Sequence, residues 1–239
     1  MQDVDTQSAA SGPRVVLAPL NLPVAVPAEV EDAVPVIERA LIDAFQARGA
    51  RVAVIHPRDA YQLWRAAASS IPQSGDAAAD LRNAARKFAG AMETTEHYDV
   101  LILPSLVLRE ARVSGRNASW DGVTRRIPVR TSASAEDSHT APDAPVFDTA
   151  EGLAASPQWG GKIAGLSLHM LIFRPEYKSR ERFAGLDIVH ETVQVRDPTG
   201  AGSSVELRPR ADLFGDREEL HDAIEAAVEP VWSRVQGGS

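Results

Sequence analysis

The chain has 239 residues, of which 44% are hydrophobic and 24% charged. That is enough to bury one sizeable core, and although the length also allows two domains, one is expected. Its formal net charge of −8, with 25 basic residues scattered along the chain, argues against a nucleic-acid binder, which needs clustered Lys and Arg to displace counterions. Cysteine is absent, which excludes disulfides, thiolate metal sites and cysteine nucleophiles.

No run approaches the roughly 18 apolar residues of a membrane-spanning helix. Residues 1–13 lack the basic start and apolar core of a signal peptide and read as a flexible tail, with a second short tail over 236–239. Between them, residues 14–235 read as a single α/β domain.

Arg14 to Leu20 is a short apolar run stopped by Pro19, Pro23 and Pro27, which predicts a buried strand and a stiff exit loop. A helix follows. Asp32 can cap it, Pro35 falls in its tolerant first turn, and Val34, Ile37, Leu41 and Phe45 recur at helical spacing until Gly49. Val52 to Ile55 is the second strand of a β-α-β unit. His56 to Asp59 opens a second helix carrying Tyr61, Leu63 and Trp64, and Ile71 to Gly75 ends it. Asp76 or Asp80 can cap a third helix, with Leu81, Ala85, Phe88 and Met92 on one face and Arg82, Arg86 and Lys87 pointing away.

Tyr98 to Val113 starts as a continuous apolar run and ends in alternation, so it predicts a strand that begins inside an α/β core and runs out into an antiparallel arm. Ser119 to Val129 is expected to return as the arm's partner, with Trp120 over the hinge. Residues 131–161 turn to Ser, Ala, Asp, Pro and Gly, the composition of a long loop disordered at least in part. Lys162 to Phe173 is the clearest strand. Ala164, Leu166, Leu168, Met170 and Ile172 share the face expected to meet the helices, and Gly165, Ser167 and His169 interrupt the other. Pro175 to Arg182 reads as a polar connection, Phe183 to Val195 as a strand, Asp197 to Gly200 as a turn and Val205 to Leu207 as a short strand. The last helix runs from about Arg217 to Val235, with Asp216 and Glu219 at capping-box spacing and Pro230 expected to bend it. The predicted fold is therefore α/β (α+β): a mixed sheet with a β-α-β start, long antiparallel arms, helices packed mainly on one face and a C-terminal helix.

Chemistry is harder to find. No glycine cluster joins a strand to a helix, as a phosphate cradle needs. His190-Glu191 begins like the helical zinc motif, but residue 194 is Gln where a second histidine must stand. Neither Ser105 nor Ser167 lies in a nucleophile elbow. No catalytic residue, cofactor or metal site is expected. The one polar grouping with functional promise places His169 opposite His190 if their strands pair, with Asp187 beside them.

The element order, with Val-Leu-Ala-Pro-Leu in the opening strand, the Gly49 to Ile55 helix-to-strand step, Tyr-Asp-Val-Leu-Ile-Leu-Pro-Ser-Leu, Trp120-Asp121-Gly122 and Gly185-Leu186-Asp187, resembles the envelope lipoproteins that share a fold with the curli-secretion protein CsgG and the TolB amino-terminal domain. The resemblance covers about Arg14 to Val235, leaves 131–161 as an insertion, and carries over no catalytic residue. It implies a non-enzymatic periplasmic protein, a trimmed outer-membrane lipoprotein that acts as scaffold, regulator or assembly and secretion component. Its expected partners are envelope proteins and, through strand edges, a second copy of itself; membrane association would run only through a lipid anchor outside this chain. The candidate binding surface is Trp120, Asp121, Trp159, His169, Asp187 and His190. The competing expectation is an enzyme or small-ligand binder built on Asp187, His190 and His169.

Overall fold

The computed structural model describes residues 12–114, 117–127, 129–130, 162–175, 177–196, 203–210 and 213–236. Strand β1 (Arg14–Leu17) leads through a 3-10 turn over Ala28–Ala33 to helix α1 (Val34–Ala47) and strand β2 (Arg51–Val54). The two strands pair in parallel from Arg14↔Arg51 to Leu17↔Val54, which completes the predicted β-α-β unit. Ile37, Leu41, Ala44 and Phe45 are the buried stripe of α1, and Pro35 occupies its first turn. Asp32 does not cap this helix: it lies inside the 3-10 turn, and the cap position falls on Ala33 without a side-chain hydrogen bond.

Helices α2 (Pro57–Ser69) and α3 (Ala77–Thr95) lead into β3 (Val100–Ser114). Of the two aspartates able to cap α3, Asp76 does so. Its Oδ1 accepts the N–H groups of Ala78 and Ala79 at 2.9 and 3.0 Å, while the Asp80 carboxylate accepts from the Ser74 N–H at 3.0 Å. β3 is long enough to serve two neighbours along one edge. Its first residues pair in parallel with β1, and its last pair antiparallel with β4 (Asn117–Trp120). Its other edge is taken by β7 (Lys162–Arg174), from Leu101↔Phe173 to Arg112↔Lys162. With β5 (Val123–Arg126) beside β4 and β8 (Tyr177–Ile188) beside β7, these form a seven-stranded mixed sheet. Strands β6 (Val129–Arg130), β9 (His190–Arg196) and β10 (Ser203–Pro209) make a second sheet of three, and helix α4 (Arg217–Gln236) follows.

The mixed α/β class, the antiparallel arms and the C-terminal helix agree with the sequence. The distribution of helices does not. Val15, Leu17, Ile102 and Leu168 pack on one face with α1 and α4, whereas Val16, Leu101, Leu103 and Phe173 pack on the other with α2 and α3. Helical periodicity shows which side of a helix is buried, but not which face of the sheet receives it.

Three further stretches differ. Pro175 to Arg182 is not a loose connection, because β7 reaches Arg174 and β8 already starts at Tyr177. The polar residues there belong to a strand whose Glu181 stays exposed. Ser119 to Val129 is not a single arm either. Asp121 and Gly122 take φ of +37° and +85°, and this two-residue Asp-Gly loop folds the stretch into the β4–β5 hairpin. The expected strand from Phe183 to Val195 is interrupted at Val189, which separates β8 from β9.

Three side chains take over backbone duties. Beyond the end of β1, Asn21 (φ +58°) presents its side-chain amide to β3: Oδ1 accepts the Leu106 N–H at 2.8 Å and Nδ2 donates to the Leu106 carbonyl at 3.1 Å. Helix α4 begins after Asp216, whose Oδ1 accepts from the N–H groups of Glu218 and Glu219 at 3.0 Å each. The helix continues through Pro230. Proline has no N–H to give the carbonyl four residues earlier, that of Ala226. Arg182 of β8 supplies the donor, with Nη2 at 3.1 Å from the Ala226 carbonyl and Nε at 3.1 Å from that of Ala227.

Candidate functional site

The β4–β5 hairpin folds back across β7 and β8. Trp120 at the end of β4 is only 6% exposed, and its Nε1 donates to the Leu166 carbonyl at 3.1 Å. Gly165 makes room for the indole, since a Cβ there would stand 2.6 Å from the ring, and a Cβ on Gly185 would stand 2.1 Å from Val123. The Gly185 N–H donates to the Asp121 carbonyl at 3.2 Å. Trp120, expected as part of a binding surface, is thus a packing residue, in a cluster with Ala111, Val113, Ala118, Ile127, Ile163 and Ile188.

Between this hairpin and the α2–α3 layer, the same sheet face carries a polar band. Cross-strand register sets Ser105 of β3 opposite His169 of β7, and His169 opposite Phe183 of β8. The His169 and Phe183 rings stack with centroids 4.3 Å apart and planes 9° apart. The Arg109 guanidinium lies 4.6 Å from the centre of the Phe183 ring, the geometry of a cation–π contact. Arg109 Nε also donates to Asp121 Oδ2 at 3.0 Å, and the Ser167 hydroxyl donates to the same oxygen at 2.7 Å. Asp121 therefore ties the hairpin turn to both β3 and β7.

His169 is 7% exposed. Burial lowers its pKa from the ordinary value; the Glu181 carboxylate works in the opposite direction, and the Arg109 charge lowers it further. Glu181 Oε1 stands 2.8 Å from Nε2 but out of line for a directed hydrogen bond, so Nε2 has no hydrogen-bond partner among the described residues. The Ser105 hydroxyl is likewise buried without a partner. With Ser105 at 1% exposure, its oxygen cannot meet a substrate, and Asp121 is already engaged by two donors. The band is built as a set of struts more than as an acid–base pair.

Asp187 lies elsewhere. It is opposite Leu166, 6% exposed, and its carboxylate accepts the Ile188 N–H at 2.7 Å, Arg210 Nη1 at 2.8 Å and the Phe214 N–H at 3.0 Å. It fixes the return of the chain from β10 toward α4. His190 opens β9 opposite Pro209, with a buried Nδ1 that has no partner among the described residues. The structure thus brings Asp121 and His169 to one band, places Asp187 in a separate node, and does not set His169 opposite His190. Trp159 and the 131–161 stretch lie outside the described residues. Among the described residues, no group of three or more His, Asp or Glu side chains is placed to hold a metal ion.

Ser105, Arg109, Ser167, Glu181 and Phe183 were not candidates from sequence. Ser167 and His169 share a parity with Gly165 that hinted at a common face. The register that adds Phe183 and Glu181 leaves no mark in the residue pattern. No protein-family model and no curated protein matches the chain.

Proposed function

We propose that the chain is a non-enzymatic protein of the bacterial cell envelope, a trimmed outer-membrane lipoprotein that works as a scaffold, regulator or assembly and secretion component through contacts with other envelope proteins. The envelope assignment rests on the sequence resemblance. The observation that carries the binding role is the end of the large sheet. Among the described residues β2 is hydrogen-bonded on one side only, to β1. The Arg51 and Ile55 N–H groups donate to the carbonyls of Pro13, just before β1, and Leu17 within it, which directs the N–H groups of Val52 and Val54 outward. Val54 is 51% exposed. An edge with outward donors and an exposed apolar side chain suits strand addition by a partner or by a second copy.

The test is site-specific photo-cross-linking from position 54 in cells that express the natural precursor, compared with the same cross-linker in a Val52→Pro chain that lacks the neighbouring outward donor. Adducts with envelope proteins or with itself, lost on Val52→Pro, support the reading. Fractionation that leaves the precursor in the cytosol would remove the localisation, and the absence of any specific adduct would remove the edge.

A further inference from the structure

The polar band buries more than it satisfies. His169 of β7 and Ser105 of β3 stand opposite each other, both are buried, and neither His169 Nε2 nor the Ser105 hydroxyl has a hydrogen-bond partner among the described residues. The imidazole is also pinned flat against the Phe183 ring, and the Arg109 guanidinium lies over that same ring. One aromatic side chain therefore serves a titratable base and a permanent cation together.

All but one of the residues in this band sit on strands that cannot move alone. Ser105 and Arg109 belong to β3, Ser167 and His169 to β7, and these two strands pair along their whole shared length. Glu181 and Phe183 belong to β8, which Arg182 ties to α4. Asp121 is the exception. It lies in the turn of the β4–β5 hairpin, whose strands have four residues each and which joins β3 through Arg112, Val113 and Ser114. Arg109, Ser167 and the Gly185 N–H all reach the hairpin through this one residue. Apart from it, the hairpin is held to β7 and β8 by Trp120 Nε1 on the Leu166 carbonyl and Arg125 Nε on that of Leu186.

Few charges act on His169. Glu181 of β8 offers an anion 2.8 Å from Nε2 at the rim. Arg109 of β3 opposes a second positive charge, and Asp121 of the turn holds Arg109 in place. Glu110 and Arg182 alternate onto the other face of the sheet. The α2–α3 layer meets this face at Leu101, Leu103 and Phe173, and none of its charged groups is among those that act on the imidazole. Lifting the turn would relieve a protonated His169 twice, by admitting water where the hairpin now lies and by taking away the carboxylate that anchors Arg109.

We infer that His169 is a proton-operated latch, whose protonation lifts the β4–β5 hairpin off β7 and β8 and uncovers Trp120 while the rest of the large sheet stays folded. The latch is independent of the envelope assignment. Burial lowers the affinity of the closed form for the proton, so opening is favoured as pH falls from 6.5 through the closed-state value. A single proton sets the ceiling: the opening constant rises at most about tenfold per pH unit in that window and is level above it.

The test is hydrogen exchange read by mass spectrometry on the full chain between about pH 5 and pH 8, corrected for intrinsic exchange, with the hairpin peptide (Asn117–Arg126) compared with α1 (Val34–Ala47). The opening constant of the hairpin is expected to rise by at least about threefold toward the acid end while that of α1 stays level. His169→Gln is expected to abolish the rise. Glu181→Gln, at an exposed side chain, removes the anion that offsets part of the burial and is expected to enlarge it; should His169→Gln fail to fold, the wild type and this variant decide. A level wild-type profile, a rise that survives His169→Gln, or a rise reduced or unchanged by Glu181→Gln overturns the inference. So does a rise shared equally by α1, which is global unfolding.

Discussion

Replacing Arg182 with Met keeps most of the aliphatic stem and removes two donors from the backbone of α4. Each of the two bonds, at 3.1 Å to the carbonyls of Ala226 and Ala227, is charge-assisted. A net worth of about 1 kcal/mol for an ordinary hydrogen bond, and more when a charge takes part, sets the loss near 2–3 kcal/mol. Part of that loss exists only because Pro230 leaves the Ala226 carbonyl without a helical donor. Pro230→Ala alone is expected to stabilise the chain by up to about 3 kcal/mol, and in that background residue 230 supplies its own N–H to Ala226. There Arg182→Met should cost about 1 kcal/mol less than in the wild type. Urea unfolding followed by circular dichroism, on the wild type, both single variants and the double, gives the coupling directly. A coupling within about 0.3 kcal/mol of zero would refute the idea that the arginine replaces the donor that proline lacks.

Asn21→Ala should cost about 2–4 kcal/mol, because it strands the Leu106 N–H and carbonyl that the side-chain amide satisfies in the interior; a change under 1 kcal/mol in chemical denaturation would show that the β3 edge repairs itself. Gly165→Ala should destabilise by about 1–3 kcal/mol and shift the Trp120 emission, as the added methyl meets the indole at 2.6 Å; unchanged stability and emission would mean that the hairpin moves freely. The third concerns pH. Burial lowers the His169 pKa below 6.5, so the unfolded chain binds the proton more readily than the folded one. This group's contribution is fully present above pH 6.5 and is lost as pH falls from there through the folded value. His169→Gln should therefore flatten the stability–pH profile in that window, and a profile identical to wild type would place the acid sensitivity elsewhere.

The elements that depend on their own periodicity were legible. The Ile37–Leu41–Phe45 stripe and the Ala85–Phe88–Met92 face bury the residues their spacing selects, whereas in β7 Leu166, Leu168 and Met170 are buried but so are Ser167, His169 and Leu171 on the opposite face. Register was not legible, and the candidate site depended on it. Placing the end of the β7–β8 connection at Arg182 left His190 free to oppose His169; the tight turn at Pro175 brings Phe183 there instead. A polar run such as Lys178 to Arg182 carries little hydrophobic signal, because one of its side chains serves a helix carbonyl and another faces solvent. The Asp121-Gly122 pair, by contrast, was a readable hairpin signal. Trp120 looked like a surface aromatic for the same reason that Gly165 looked like an interruption: each is explained only by the other, across two strands.

Each of the three apolar clusters holds one indole among the described residues: Trp232 in the first, Trp64 against the second and Trp120 in the third. β3 places Ile102, Leu101 and Ala111 in the three clusters in turn, and β7 does the same with Leu168, Phe173 and Ile163. Two adjacent strands are therefore common property of every buried region, and neither can be withdrawn from one without emptying the others. The molecule carries, in its own tryptophans, three optical reporters of whether melting is a single event, and the shared strands dictate that all three should fade at one temperature.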